Sequence, residues 1–96
     1  MSKVFLINGE IWRWPGDGEW HFLTIDKKTS KKIRSIGNPY GAGFIKTHIT
    51  IKKTRWETAL FPNLKEKTYM ISIKKKVREQ ENLFEGDIIK VKIEII

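Results

Sequence analysis

The sequence predicts a mainly β fold: a small barrel or pseudobarrel of about six strands with two short helices. Three observations carry this. Apolar residues alternate with period two in at least four segments. Glycine, proline and paired-lysine turns separate those segments. The last third of the chain packs strand, basic helix, Gly-Asp turn and strand into one compact unit. In it Tyr69 to Ile73 alternates, Lys74 to Gln80 reads as a helix, and Leu83 to Asp87 reads as a turn. Ile88 to Ile96 is then a final strand with apolar residues at 89, 91, 93 and 95.

The earlier elements follow the same logic. Val4 to Trp14 is strand-like, with Phe5, Ile7 and Ile11 on one face and Leu6, Trp12 and Trp14 on the other. Both faces carry apolar residues, which suits a strand in a closed or covered sheet. Because Trp12 and Trp14 share a face with Leu6, at least one of them is expected in the core. Pro15-Gly16-Asp17-Gly18 is a turn, and Trp20 to Ile25 completes a hairpin. Asp26 caps a helix from Lys27 to Ile36, with Ile33 and Ile36 as its apolar face. Gly37 to Gly43 is the longest irregular stretch, and Tyr40 at its centre makes it the expected mobile recognition element. Phe44 to Ile51 points Ile45, Ile49 and Ile51 inward, Lys52-Lys53 turns the chain, and Thr54 to Leu60 returns. Phe61-Pro62-Asn63 ends that strand and Leu64 to Lys67 is a polar loop. The expected core is Phe22, Ile49, Trp56, Leu60, Ile71, Val77, Val91 and Ile93.

An internal repeat is visible at an offset of 44: Lys31-Lys32-Ile33-Arg34 matches Lys75-Lys76-Val77-Arg78, and Ile45, Ile49 and Ile51 match Ile89, Ile93 and Ile95. Chance matching in a chain rich in lysine and isoleucine accounts for this equally well. If the repeat holds, two halves pack around a pseudo-twofold axis.

At 96 residues the chain is expected to form one domain, residues 1–96. It contains no cysteine, which excludes disulfides, thiolate metal sites and cysteine nucleophiles and points to the cytoplasm. No stretch reaches the roughly 20 apolar residues of a membrane helix. The net charge is +8, from 19 basic and 11 acidic residues. Only Arg13, Arg34, Arg55 and Arg78 are arginine; the remaining cations are lysine, which serves solvation as readily as recognition.

Thr54 to Pro62, followed by Tyr69 to Arg78 and Gly86-Asp87, resembles the domain-of-unknown-function family nineteen-oh-five. Trp20 to Leu23 and Ile33-Arg34 fit the first half of that family, so the resemblance spans nearly the whole chain. It implies a double-split β-barrel related in fold to AbrB, MazE and MraZ, and no established activity. Ser72 stands where relatives often carry proline, which changes the entry into the second helix.

The residues themselves point to binding rather than catalysis. His21 and His48 each sit in a strand with no metal-ligand spacing, the acidic residues are scattered, and no phosphate-binding glycine loop is present. Glu10 and Glu19 are expected across the first hairpin. No enzyme activity, cofactor or metal is expected. The expected function is a monomeric module that engages an anionic partner, nucleic acid or an acidic protein surface, and no membrane. The contacts would be Lys31, Lys32, Arg34, Lys75, Lys76 and Arg78 on the two helices. Two basic helices forming one continuous patch would favour this reading. The rival is a small-ligand or enzymatic pocket around Arg55, Trp56 and His48, with Tyr40, Arg55 and Trp56 as possible ligand contacts. Trp12, Trp14 and Trp20 flank one hairpin and can either pack or stack on a ligand ring.

Overall fold

A computed structural model describes residues 3–16 and 18–96. The turn at Pro15 to Gly18 therefore lies partly outside the described residues, at Asp17. The chain runs β1 (Val4–Arg13), β2 (His21–Thr24), α1 (Lys27–Ile36), β3 (Ile45–Ile51), β4 (Thr54–Asn63), β5 (Thr68–Ser72), α2 (Lys75–Glu81) and β6 (Ile88–Ile95). The six strands close into an antiparallel barrel in the order β1-β2-β5-β4-β3-β6. The mainly β reading, both helices and the compact final unit are borne out.

Exchanging β1 with β4, β2 with β5 and β3 with β6 leaves that strand order unchanged, so the barrel consists of two ββαβ halves. The offset of 44 pairs Ile49 directly with its own counterpart, Ile93. Phe5 pairs with Ile93 on β1 just as Trp56 pairs with Ile49 on β4. The two long strands each serve both sides of the barrel. β1 pairs with β6 through Glu10 and with β2 from Ile11. β4 pairs with β3 through Leu60 and with β5 from Phe61. This is why β4 continues through Phe61-Pro62-Asn63, where sequence reading ends it. Proline is tolerated because β3 has already stopped pairing there.

Period-two alternation sets the interior. Ile7, Ile11, Leu23, Ile45, Ile49, Ile51, Leu60, Ile71, Ile73, Val91 and Ile93 fill it, with Ile33 from α1 and Val77 from α2. β-branched residues fit a pleated, enclosed surface and leave few rotamers to lose. Ser30 is a buried polar link: its hydroxyl donates to Ile25 O at 3.2 Å and accepts from Tyr69 N at 3.1 Å, tying α1 to the ends of β2 and β5. Asp26 caps α1 as expected, accepting from Thr29 N at 3.0 Å. Gly86 takes φ +93°, which only glycine adopts without strain, and Asp87 closes that turn by accepting from Phe84 N at 2.8 Å.

Three expectations are corrected. Trp12 and Trp14 both lie on the outside of the barrel with Leu6; Trp12 is half-buried and Trp14 exposed. Their face is outer because Ile7 and Ile11 take the inner one. Trp56 is half-buried at the rim of the core rather than enclosed. Glu10 pairs with Ile88 of β6, so Glu19 does not face it across a hairpin. Phe22 is buried, but under surface aromatic rings and outside the central cluster. The Gly37 to Gly43 stretch contains a defined tight turn, closed by hydrogen bonds in both directions between Tyr40 and Phe44.

Candidate functional site

β2 and β5 are antiparallel neighbours, so the helices that follow them, α1 and α2, cover opposite ends of the barrel. The two basic clusters therefore do not form one continuous patch. At the α1 end Lys31 and Lys32 are exposed, and Lys31 and Arg34 line a groove with Lys65 and Lys67 of the β4–β5 loop. Arg34 is partly spent on structure: it donates to Lys67 O at 3.2 Å and lies 5.8 Å from the centre of the Tyr69 ring.

The α2 end gathers more of the predicted residues. Lys53, Arg55, Lys74 and Lys76 line a cleft of about 470 Å³ beside Trp56. Glu57 is the acidic residue on its wall. Lys74 also lines a second groove, of about 370 Å³, with Lys75, Arg78 and Trp20. The lysines of α2 thus bridge two concave surfaces. Arg78 is the counterpart of Arg34 and behaves like it, donating to Ile73 O at 3.2 Å and to Glu19 O at 3.3 Å. In each half this arginine ties its helix to the loop joining the first two strands of the opposite half: α2 to the β1–β2 loop, α1 to the β4–β5 loop.

The residues of the rival pocket are only partly assembled. Arg55 and Trp56 line the α2 cleft, but His48 does not. His48 sits on the outer face of β3, with Nε2 3.8 Å from Glu57 Oε1. Arg55 Nε donates to Glu94 Oε1 at 3.2 Å, and this hydrogen bond holds the Glu94 carboxyl below the usual range against a smaller opposing effect of burial. Tyr40 lies apart, under Lys46, whose Nζ is 5.6 Å from the ring centre. His21 is buried, with Nδ1 2.7 Å from Glu19 O, and so serves packing. Among the described residues no group of three or more histidine and carboxylate side chains is placed to hold a metal ion. Among them too, no helix is long and apolar enough to cross a membrane.

Sequence reasoning missed two features. One is Glu81, the last residue of α2, which clamps the β3–β4 hairpin. Its carboxylate accepts from Thr54 Oγ1 at 2.7 Å and from Lys53 N at 3.1 Å. This fixes the hairpin whose turn residue Lys52 takes φ 54°, and it sets the wall of the α2 cleft. The Thr54 hydrogen bond leads the causes that hold Glu81 below the usual glutamate range, with the Lys53 amide and the charges of Lys52 and Lys53 adding to it against burial. A carboxylate depressed in the folded state stabilises the fold above its unfolded pKa, and that contribution is lost as pH falls through the folded pKa. Glu81→Gln is therefore expected to lower the thermal midpoint at neutral pH and to flatten the decline on the acid side. Thermal melts of both proteins across the acidic range check it.

The other missed feature is a stripe of seven aromatic rings on the outer surface, running from Trp14 and Trp20 through Trp12, Phe22, Phe61 and Phe44 to Tyr40. Trp12 is the register partner of Phe22, and Phe61 that of Met70. The legible signal was the even-numbered parity of Trp12 and Trp14.

A closed barrel of two ββαβ halves, capped at each end by a short basic helix, defines a small β-barrel domain. Residues 8–93 match the family described as a domain of unknown function, DUF1905, and the chain belongs to it. No curated protein matches the chain.

Proposed function

We propose that this protein is a non-enzymatic module that binds an anionic partner, nucleic acid in the first place, through the basic end built by α2. One observation carries the reading: Lys53, Lys74 and Lys76 converge on the cleft beside Trp56, and Lys74 joins it to the groove that holds Lys75 and Arg78. Cations from two separate elements on a concave surface neutralise neighbouring phosphates better than the same number scattered over a convex one. The α1 end, with Lys31, Lys32 and Arg34, is a second and separate contact. The relation to AbrB-type DNA-binding regulators belongs to this proposal and is supported by the exchange symmetry of the two halves. We place the module in the cytoplasm on the strength of its cysteine-free composition, and as a monomer because its closed barrel leaves no strand edge free for pairing among the described residues.

Affinity for an oligonucleotide is expected to be micromolar or weaker at physiological salt and to fall steeply as salt rises. Lys75→Gln with Lys76→Gln should weaken it more than Lys31→Gln with Lys32→Gln. Anisotropy titrations at low and physiological salt test this. Equal effects of the two pairs would remove the preference for the α2 end, and absence of binding at low salt would remove the proposal.

A further inference from the structure

We propose that the aromatic stripe is a stacking platform for the bases of a single-stranded nucleic acid. This rests on the reading above that the partner is a polyanion, and adds both its kind and a second contact surface.

The rings are not needed inside the barrel. The interior is filled by aliphatic residues and Tyr69, while Trp12, Phe22 and Phe61 sit on the outer parity of their strands and Trp14 follows just beyond β1. Phe22 is 6% exposed and forms the base on which the others stand. Above it, Trp14 and Trp20 remain 49% and 53% exposed, and they line a groove of about 290 Å³ with Phe22, Phe61 and Met70. Tyr40, at the other end of the stripe, is 45% exposed. A contiguous apolar surface of this kind, edged by charge, marks an interaction face.

Charge selects the occupant. The Trp20 end carries Lys74, Lys75 and Arg78, with Glu19 as the acidic residue of that groove. The Tyr40 end carries Lys46. Cations at both ends of an aromatic surface suit a ligand with flat apolar rings and regularly repeated negative charge. An apolar peptide or helix supplies no such charge. Spacing selects the strand state. Successive ring centres lie 5.2 to 6.2 Å apart. The base pairs of a duplex repeat at about 3.4 Å along its axis, stacked on each other and out of reach. Only an unpaired strand can lay base faces on the exposed rings of Trp14, Trp20 and Tyr40.

The test uses the full chain and three probes at low salt: a short oligothymidylate, a DNA duplex and inorganic polyphosphate. Trp14→Ala and Trp20→Ala, singly and together, are the variants, since both rings are exposed and their loss leaves the interior intact; thermal melts verify the fold. Labelled-oligonucleotide anisotropy is expected to show tighter binding of the single strand than of the duplex. Each ring removed is expected to weaken single-strand binding about fivefold or more, with polyphosphate binding unchanged. If the variants leave oligothymidylate binding unchanged, or weaken polyphosphate equally, stacking is overturned while the anion-binding reading stands. If neither oligothymidylate nor polyphosphate binds the wild type, both readings fall. If the wild type sediments as a dimer that the paired substitution dissociates, the stripe is a self-association face and the proposal is overturned.

Discussion

Replacing Ile49 by alanine is expected to destabilise the protein by about 2–5 kcal/mol, the cost of a large-to-small change in an enclosed core. Ile49 is fully buried and pairs with Ile93 across the centre of the fold and with Trp56 on its other side. The two ββαβ halves meet there, so neither can relax into the space without opening the β3–β6 seam. Urea denaturation should show a lower midpoint at an unchanged slope. Trp56→Ala removes more atoms, but Trp56 is half-buried and its buried indole N–H has no hydrogen-bond partner. Its loss is therefore expected to fall below the roughly 3–5 kcal/mol of an enclosed tryptophan. A Trp56→Ala variant weaker than Ile49→Ala would move the centre of the core to the rim.

Gly9→Ala is expected to cost about 1–3 kcal/mol, although alanine is only one methyl larger. A Cβ at Gly9 would stand 2.6 Å from Leu23 Cδ2 and 2.8 Å from its Cγ. Leu23 is completely buried and paired with Ile71, so it has nowhere to move. The close approach occurs just before β1 leaves β6 for β2. Gly86→Ala makes the contrast: no atom lies within 4 Å of the added Cβ, and any loss there comes from the positive φ alone. Thermal melts of the two variants separate crowding from backbone strain.

The elements were legible because each is local. Asp26 and the period of Lys27 to Ile36 define α1 without reference to the rest of the chain. Alternation in Ile88 to Ile95 does the same for β6. What stayed hidden is what depends on pairing. β1 is apolar on both faces, so the sequence shows its parity but not which face is inner, and it leads to the expectation that at least one of Trp12 and Trp14 is in the core. The antiparallel pairing of β2 with β5 places α1 and α2 at opposite ends, which no property of the two lysine clusters announces. Glu81 reaches Thr54, and Ser30 reaches Tyr69, across long stretches of chain. Their residue types carry no signal of a distant partner. The aromatic stripe is assembled the same way, from β1, β2, β4 and the turn at Tyr40.

A polyanionic single strand is expected to lie over the α2 end and the aromatic face together. Amide and indole chemical shifts of the isotope-labelled protein, followed during titration with oligothymidylate, test it most directly. The indole signals of Trp14 and Trp20 and the amides of Lys74 to Arg78 are expected to move together, with one midpoint. Shifts confined to Lys27 to Arg34, or no shifts at low salt, would contradict it.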